Sequence, residues 1–452
     1  MAQAKTTRSV QSGAGLRNRH IAMIALGGTI GAGLFVGSSA AIVATGPAVL
    51  LAYLGVGALV MLVMRMLGEM VVNNPHQGSF VAYIRIAHGD RVGFTAGWLY
   101  WFFWVVVLGS EAIAGAILLQ DWINLPVWFL ALMLLAVLKA VNFAAPRVFG
   151  ECEFWLSGVK VFSILAFVGL SLLYVLHVFG PGVPVRENLV GHGGLVPHGF
   201  LAVLSIVPTI LFSMMGAEIA TVAAGESSES EKSIDRVTRS LGLRVTLFYV
   251  LAVGMILLVV PWDTIISGRS PFVAAMDRMG VPGAGLMMRI VVLSAILSCL
   301  NSSLYITSRV LRELAEQGDA PVALGRCAGS GAPRLAITVS GLAGALVAFS
   351  SILAPDTIFA FLLSCSGGVI LLIYSLIVTA HIVTRKAAER AGRGRFVLPL
   401  FPLTNYATVA GVAVVFGAML CNPAERMTAV ASLGTSVVCF GLASFFMIRR
   451  AA

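Results

Sequence analysis

The sequence predicts an all-α integral membrane protein of twelve transmembrane helices, and three observations carry that reading. Of 452 residues, 58% are hydrophobic and only 11% charged, too apolar for a soluble domain of this size. Apolar stretches of about 20 residues, the length that crosses a bilayer, recur from one end of the chain to the other. Two of them are broken by small residues, one in each half: Gly27-Gly28-Thr29-Ile30-Gly31-Ala32-Gly33 and Ser213-Met214-Met215-Gly216-Ala217. Backbone at membrane depth leaves the helical ladder only where protein or a water-filled cavity satisfies it, so paired breaks point to a binding site near the midplane of a transporter.

Taken in order, residues 1–19 form a polar, basic tail (Lys5, Arg8, Arg17, Arg19) without the apolar core and cleavage site of a secretory signal, and are expected to stay cytoplasmic. A single membrane domain, 20–448, follows. Its spans are expected at 20–44, 47–72, 94–119, 126–144, 153–178, 200–224, 240–260, 287–314, 335–353, 356–383, 401–420 and 427–448, with a cytoplasmic C-terminus at 449–452. An even number of spans returns both termini to one side. With the N-terminus inside, the inner segments hold 24 of the 30 Lys and Arg, whereas five (Arg186, Arg269, Arg278, Arg289, Arg426) fall outside. That asymmetry sets the orientation in the cell inner (plasma) membrane. It also accounts for the net charge of +10: basic loops lie beside anionic lipid headgroups, and no compact basic domain is present to bind nucleic acid.

The six cysteines (Cys152, Cys299, Cys327, Cys365, Cys421, Cys439) are scattered and read as small packing residues. The seven histidines form no cluster with Asp or Glu. No metal site, cofactor site or nucleophilic triad is expected, and the chain is not read as an enzyme.

An interrupted helix exposes N–H groups at the start of its second half and C=O groups at the end of its first. The first set favours a carboxylate and the second an ammonium, so a zwitterion fits both poles of one break. The glycines at 27, 28, 31 and 33 let a ligand approach the backbone. Gly-x-x-x-Gly spacing at 27/31 and 33/37 is equally the pattern of a helix-packing face. The second break, followed at once by Glu218, turns the balance toward a site, because a carboxylate there has to face protein or water.

Three ionisable residues fall inside predicted spans, and each is a functional candidate. Lys160, in the fifth, either gives up its proton reversibly and couples transport to it, or snorkels to the cytoplasmic surface. Glu111, in the third, either faces the cavity and meets a substrate amine or forms an interhelical hydrogen bond. Glu218 is a second protonatable group or part of a bond network closing the sixth span. Near the cytoplasm, Arg65 and Glu69 lie four apart and form a solvated ion pair or an inner-gate latch. The polar stretch 225–232 reads as a cytoplasmic linker or amphipathic helix.

Several stretches carry a family likeness. They are Leu16-Arg17-Asn18-Arg19-His20, Gly31-Ala32-Gly33-Leu34-Phe35-Val36-Gly37, Gly46-Pro47-Ala48, Arg65-Met66-Leu67-Gly68-Glu69-Met70 and Gly97-Trp98-Leu99-Tyr100-Trp101-Phe102-Phe103-Trp104. Further along come Glu151-Cys152-Glu153-Phe154-Trp155, Met215-Gly216-Ala217-Glu218-Ile219, Ala223-Ala224-Gly225-Glu226-Ser227, Asn301-Ser302-Ser303-Leu304-Tyr305 and Gly318-Asp319-Ala320-Pro321. On these the chain resembles the amino acid permeases of the amino acid–polyamine–organocation superfamily and, within them, bacterial γ-aminobutyric acid (GABA) permeases.

The resemblance implies a LeuT-type fold in which 20–178 and 200–383 are inverted repeats of five spans, broken at helices 1 and 6, with two added helices in 401–448. It implies proton-coupled uptake of an amino acid, the proton being the coupling ion. By this likeness Ala32 and Gly33 offer N–H groups to the substrate carboxylate. Carbonyls around Ile30 and Gly31 and from Phe212 through Ser213 and Met214 to Met215 receive the amine, and Phe212 gates the site. Lys160 falls where proton-coupled members carry a lysine. Many general amino acid permeases place Thr or Ser at position 32; Ala32 instead matches the GABA-type relatives and agrees with an ω-amino acid ligand. Substrate exchange, or transport of an α-amino acid, is the alternative reading.

Overall fold

The computed structural model describes residues 29–74, 79–143, 146–180, 183–216, 218, 246–327, 333–392 and 397–451. The N-terminal tail, Gly27, Gly28 and the 225–232 stretch lie outside them. All regular structure among the described residues is helical. The order is α1 (Ala32–Phe35), α2 (Ser38–Thr45), α3 (Val49–Asn73), α4 (Phe80–His88), α5 (Asp90–Leu119), α6 (Val127–Asn142), α7 (Pro146–Val175), α8 (Gly199–Ser205) and α9 (Val207–Ser213). After these come α10 (Thr246–Val259), then α11 (Pro271–Met279), α12 (Ala284–Glu316), α13 (Arg334–Phe349), α14 (Pro355–Arg390), α15 (Leu403–Cys421) and α16 (Arg426–Ala451).

Among the described residues eight helical stretches are long and apolar enough to cross a membrane, and three shorter apolar helices, Val127–Asn142, Gly199–Ser213 and Thr246–Val259, accompany them. One of the eight, Ala32–Asn73, covers two predicted spans. It turns at Gly46–Ala48, where Gly46 has φ +60 and Pro47 starts a short 3-10 turn. Two helices were not expected: α4, on the loop after α3, and α11, which opens on Pro271 with the Ser270 hydroxyl accepting from the Val273 N–H.

Apolar character all round a helix places it inside the bundle, and α5 is the case in point. Its most apolar window is 89% buried, whereas that of the last helix is 17% buried. Consequently α5 is the post around which α4, α6, α12, α13, α14 and α16 are arranged. The α14 helix packs along α9, and the approach is close because residue 367 is glycine: a Cβ there would lie 1.9 Å from the Pro208 carbonyl oxygen. The broken first segment is boxed by α5, α9 and α12, which bring the two breaks together.

At the other end of α3 the solvated reading of Glu69 is overturned. Glu69 is 1% exposed, accepts the Leu398 N–H at 2.8 Å, and lies 3.1 Å from His381 Nε2 and 3.5 Å from Arg385 Nη1. Its face of α3 turns inward against α14 and the segment before α15, so water is replaced by a cation, an imidazole and a backbone donor.

Gly367→Ala is expected to force α9 and α14 apart, destabilising the protein by about 1–3 kcal/mol, the usual cost of overpacking. Gly411→Ala, where nothing lies within 4 Å of the added methyl, is expected to leave stability unchanged or slightly raised. Thermal unfolding of the two purified variants beside the parent checks both.

Candidate substrate-binding site

The first break is built by extended backbone. Gly31 is extended (φ −135, ψ −153), and α1 starts just after it, so the amide groups of the first turn lack helical partners. Ala32 N–H points at Glu111, donating to both carboxylate oxygens at 3.0 and 3.1 Å. The Cys299 side chain of α12 lies beside the same carboxylate, both meeting at the face of Gly31. The glycine at 31 is required here: a Cβ would fall 2.6 Å from Glu111 Oε1 and 2.7 Å from Cys299 Sγ.

The second break lies directly against the first. A Cβ on Gly33 would sit 2.7 Å from Ser213 Cα and 3.3 Å from the Phe212 ring. α9 ends at Ser213, Gly216 takes φ +115, and its N–H donates to Glu218 Oε2 at 3.0 Å, with Tyr100 of α5 donating to Glu218 Oε1 at 3.1 Å. Across both breaks lies Tyr249 of α10. Its hydroxyl hydrogen-bonds the Thr29 carbonyl at 2.7 Å and the Ser213 carbonyl, and its ring packs 5.7 Å from that of Tyr53.

Between the breaks lies a cavity of about 20 Å³, walled by Gly31, Gly33, Phe212, Ser213, Met215 and Glu111 and closed by Thr29, Phe103, Trp104, Val107 and Cys299. That is room for little more than a water molecule, so an amino acid enters only as Glu111 and the side chains around it move aside. Phe212 is nearly buried, its ring meeting Phe103 edge-on at 6.1 Å. Ile30, Ala32 and Met214 are buried in the walls behind the cavity surface.

Lys160 and Glu218 do not line the cavity. Lys160 is fully buried, which removes the snorkelling alternative, and its Nζ lies 4.0 Å from Glu153 Oε1. Glu218 accepts from the Gly216 N–H and the Tyr100 hydroxyl at the second break. Sequence reasoning missed Tyr249, Cys299 and the Glu153 partner. A tyrosine deep in an apolar span is the signal available for the first. Glu153 is the first residue of its predicted span; α7 begins two turns earlier, at Pro146, and holds Glu153 fully buried.

Tyr249→Phe strips the hydroxyl from two buried carbonyls. The expected loss is about 1–3 kcal/mol, the cost of leaving buried polar groups without partners, read as a lower melting temperature of the purified protein, whereas Tyr406→Phe on an exposed position is expected to leave it unchanged.

Known proteins resemble this chain in sequence and in fold. The GABA permease of Bacillus subtilis (strain 168) is 41% identical over 409 residues, covering 89% of this chain and 87% of that protein. The aromatic amino acid transport protein AroP of Escherichia coli (strain K12) is 37% identical over 411 residues, covering 90% of each. A crystal structure of a mutant manganese transporter from Eremococcus coleocola superposes with a TM-score of 0.58 at 16% identity, covering 97% of this chain and 95% of that one. That likeness shows the fold alone, the LeuT-type fold expected from the sequence. The amino acid permease family model matches residues 20–448, and with this multi-pass helical fold the chain belongs to the amino acid permease family.

Proposed function

We propose that this chain imports a small zwitterionic amino acid, GABA before others, together with a proton across the cell inner (plasma) membrane. The observation that carries the reading is the meeting of the two breaks at one small cavity, with each backbone pole engaged by a side chain of matching chemistry. The carboxylate of Glu111 holds the Ala32 N–H, and the hydroxyl of Tyr249 reaches the Thr29 and Ser213 carbonyls. A substrate carboxylate replaces the first on the amides of Ala32 and Gly33. Its ammonium replaces the second on carbonyls around Ile30 and from Phe212 to Met215, while Phe212 closes over it and Glu111, once released, turns to the amine.

The absence of a hydroxyl at Ala32 and the 41% identity to a GABA permease support an ω-amino acid. The 37% identity to AroP supports the second reading, an α-amino acid permease or exchanger. In architecture we read twelve spans with 20–178 and 200–383 as inverted repeats and both termini cytoplasmic, supported by the concentration of Lys and Arg in the inner segments. Spans one, two, six and seven rock as a unit around the site. Lys160, buried beside the first break's Glu111, carries the coupling proton. A neutral zwitterion moving with one proton carries one net charge, so a potential of about 150 mV contributes about 3.5 kcal/mol, several-hundred-fold accumulation.

Labelled GABA uptake into proteoliposomes tests this. An imposed inward proton gradient is expected to raise accumulation at least ten-fold, unlabelled GABA to compete best, and Lys160→Ala to abolish accumulation. Uptake that ignores the gradient and requires substrate inside the vesicle would identify an exchanger instead.

A further inference from the structure

The geometry points to Glu153 as the residue that receives the coupling proton from Lys160 and passes it to the cytoplasm. This rests on the proton-coupled reading and adds to it a second carrier and a direction.

Glu153, Ser157 and Lys160 lie at i, i+4 and i+7 on α7, so they share one helix face. All three are fully buried. Side chains on a helix lean toward its N-terminus, and the long lysine leans far enough for Nζ to come within 4.0 Å of Glu153 Oε1 across nearly two turns. Because α7 runs outward from the cytoplasmic side in the proposed orientation, Glu153 stands about 10 Å nearer the cytoplasm than Lys160 at 1.5 Å per residue.

The two oxygens of Glu153 are used differently. Oε1 accepts from the Ser298 hydroxyl of α12 at 2.5 Å, which fixes the carboxylate across the helix interface. Among the described residues Oε2 is buried with no hydrogen-bond partner, and so is the Ser157 hydroxyl on the intervening turn. Buried polar atoms are nearly always bonded, and those that are not need an explanation. A proton acceptor and a hydroxyl relay beside a buried ammonium supply one.

The charged and titratable groups around this pair are few. Glu111 faces it from α5, and Cys299 faces it from α12, both close enough to feel the Lys160 charge. From α11 the Phe272 ring packs against Phe167 of α7. In the transfer, an N–H bond of the Lys160 ammonium breaks and an O–H bond forms on Glu153 Oε2. The pair thereby changes from one positive and one negative charge to a neutral amine and a neutral acid, with no net charge left in the interior. The acid then loses its proton to water on the cytoplasmic side when that side opens, and the carboxylate returns to face a lysine reprotonated from outside. Lys160 thus loads from the side of the substrate cavity and unloads away from it.

The test uses the full chain in proteoliposomes with labelled GABA. Glu153→Gln is expected to keep GABA–GABA exchange within two-fold of the parent and to lose at least ten-fold in accumulation driven by a proton gradient. Glu153→Asp is expected to recover part of that accumulation. Gradient-driven accumulation by Glu153→Gln equal to the parent's overturns the assignment. Absence of gradient-driven accumulation in the parent itself overturns proton coupling instead, so the two failures are distinguishable. Should Glu153→Gln lose exchange as well, Ser298→Ala decides. Removing the hydroxyl that holds the ionised carboxylate is expected to move the acidic limb of the uptake–pH profile upward, and an unmoved profile overturns the proposal.

Discussion

Breaking a helix at membrane depth frees backbone groups that lipid cannot satisfy, and the centre of this molecule is organised by how they are satisfied. Three side chains do it. Glu111 takes the Ala32 N–H, Tyr249 bridges the Thr29 and Ser213 carbonyls, and Glu218 takes the Gly216 N–H while held by Tyr100. Two of these come from helices outside the breaks, α5 and α10. The breaks are therefore tied to the rest of the bundle by polar bonds that have a direction and a limited reach. Apolar packing alone would let α1 and α9 slide on their neighbours; these bonds fix where they stop.

The same bonds are ones that a zwitterion can take over. A carboxylate for a carboxylate and an ammonium for a hydroxyl leave the number of satisfied backbone groups unchanged, whereas pulling α5 or α10 away with nothing to replace Glu111 or Tyr249 leaves orphaned donors and acceptors. Rearrangement and ligand occupancy are in this way linked at the level of individual hydrogen bonds. Glu218 differs, because its partner Gly216 lies two residues away and the bond survives any rigid-body motion of that segment.

The helices, the two breaks and the residues nearest them were legible in the sequence, because hydropathy and glycine placement are local signals. Gly31, Gly33, Phe212, Ser213, Met215 and Glu111 all reach one cavity. What escaped depends on which face of a helix turns inward. Tyr249 and Cys299 look like ordinary residues of apolar spans until α10 and α12 are docked, and Glu69 looked solvated until α14 covered it. Glu153 stood at the edge of its predicted span, 153–178, and only the docking of α7 against α12 shows its carboxylate to be buried. Helix length misleads in the opposite direction at Ala32–Asn73, where the turn at Gly46–Ala48 is too short to interrupt the apolar run.

Glu111 bears most directly on coupling. One backbone amide cannot hold two carboxylates, so in the proposed cycle a substrate carboxylate reaches Ala32 only after Glu111 leaves it, and two anions side by side in this dry cavity repel strongly. A proton on Glu111 removes that repulsion and frees the amide in one step. Substrate binding and proton uptake then favour each other at the cavity, and by linkage each strengthens the other by the same factor.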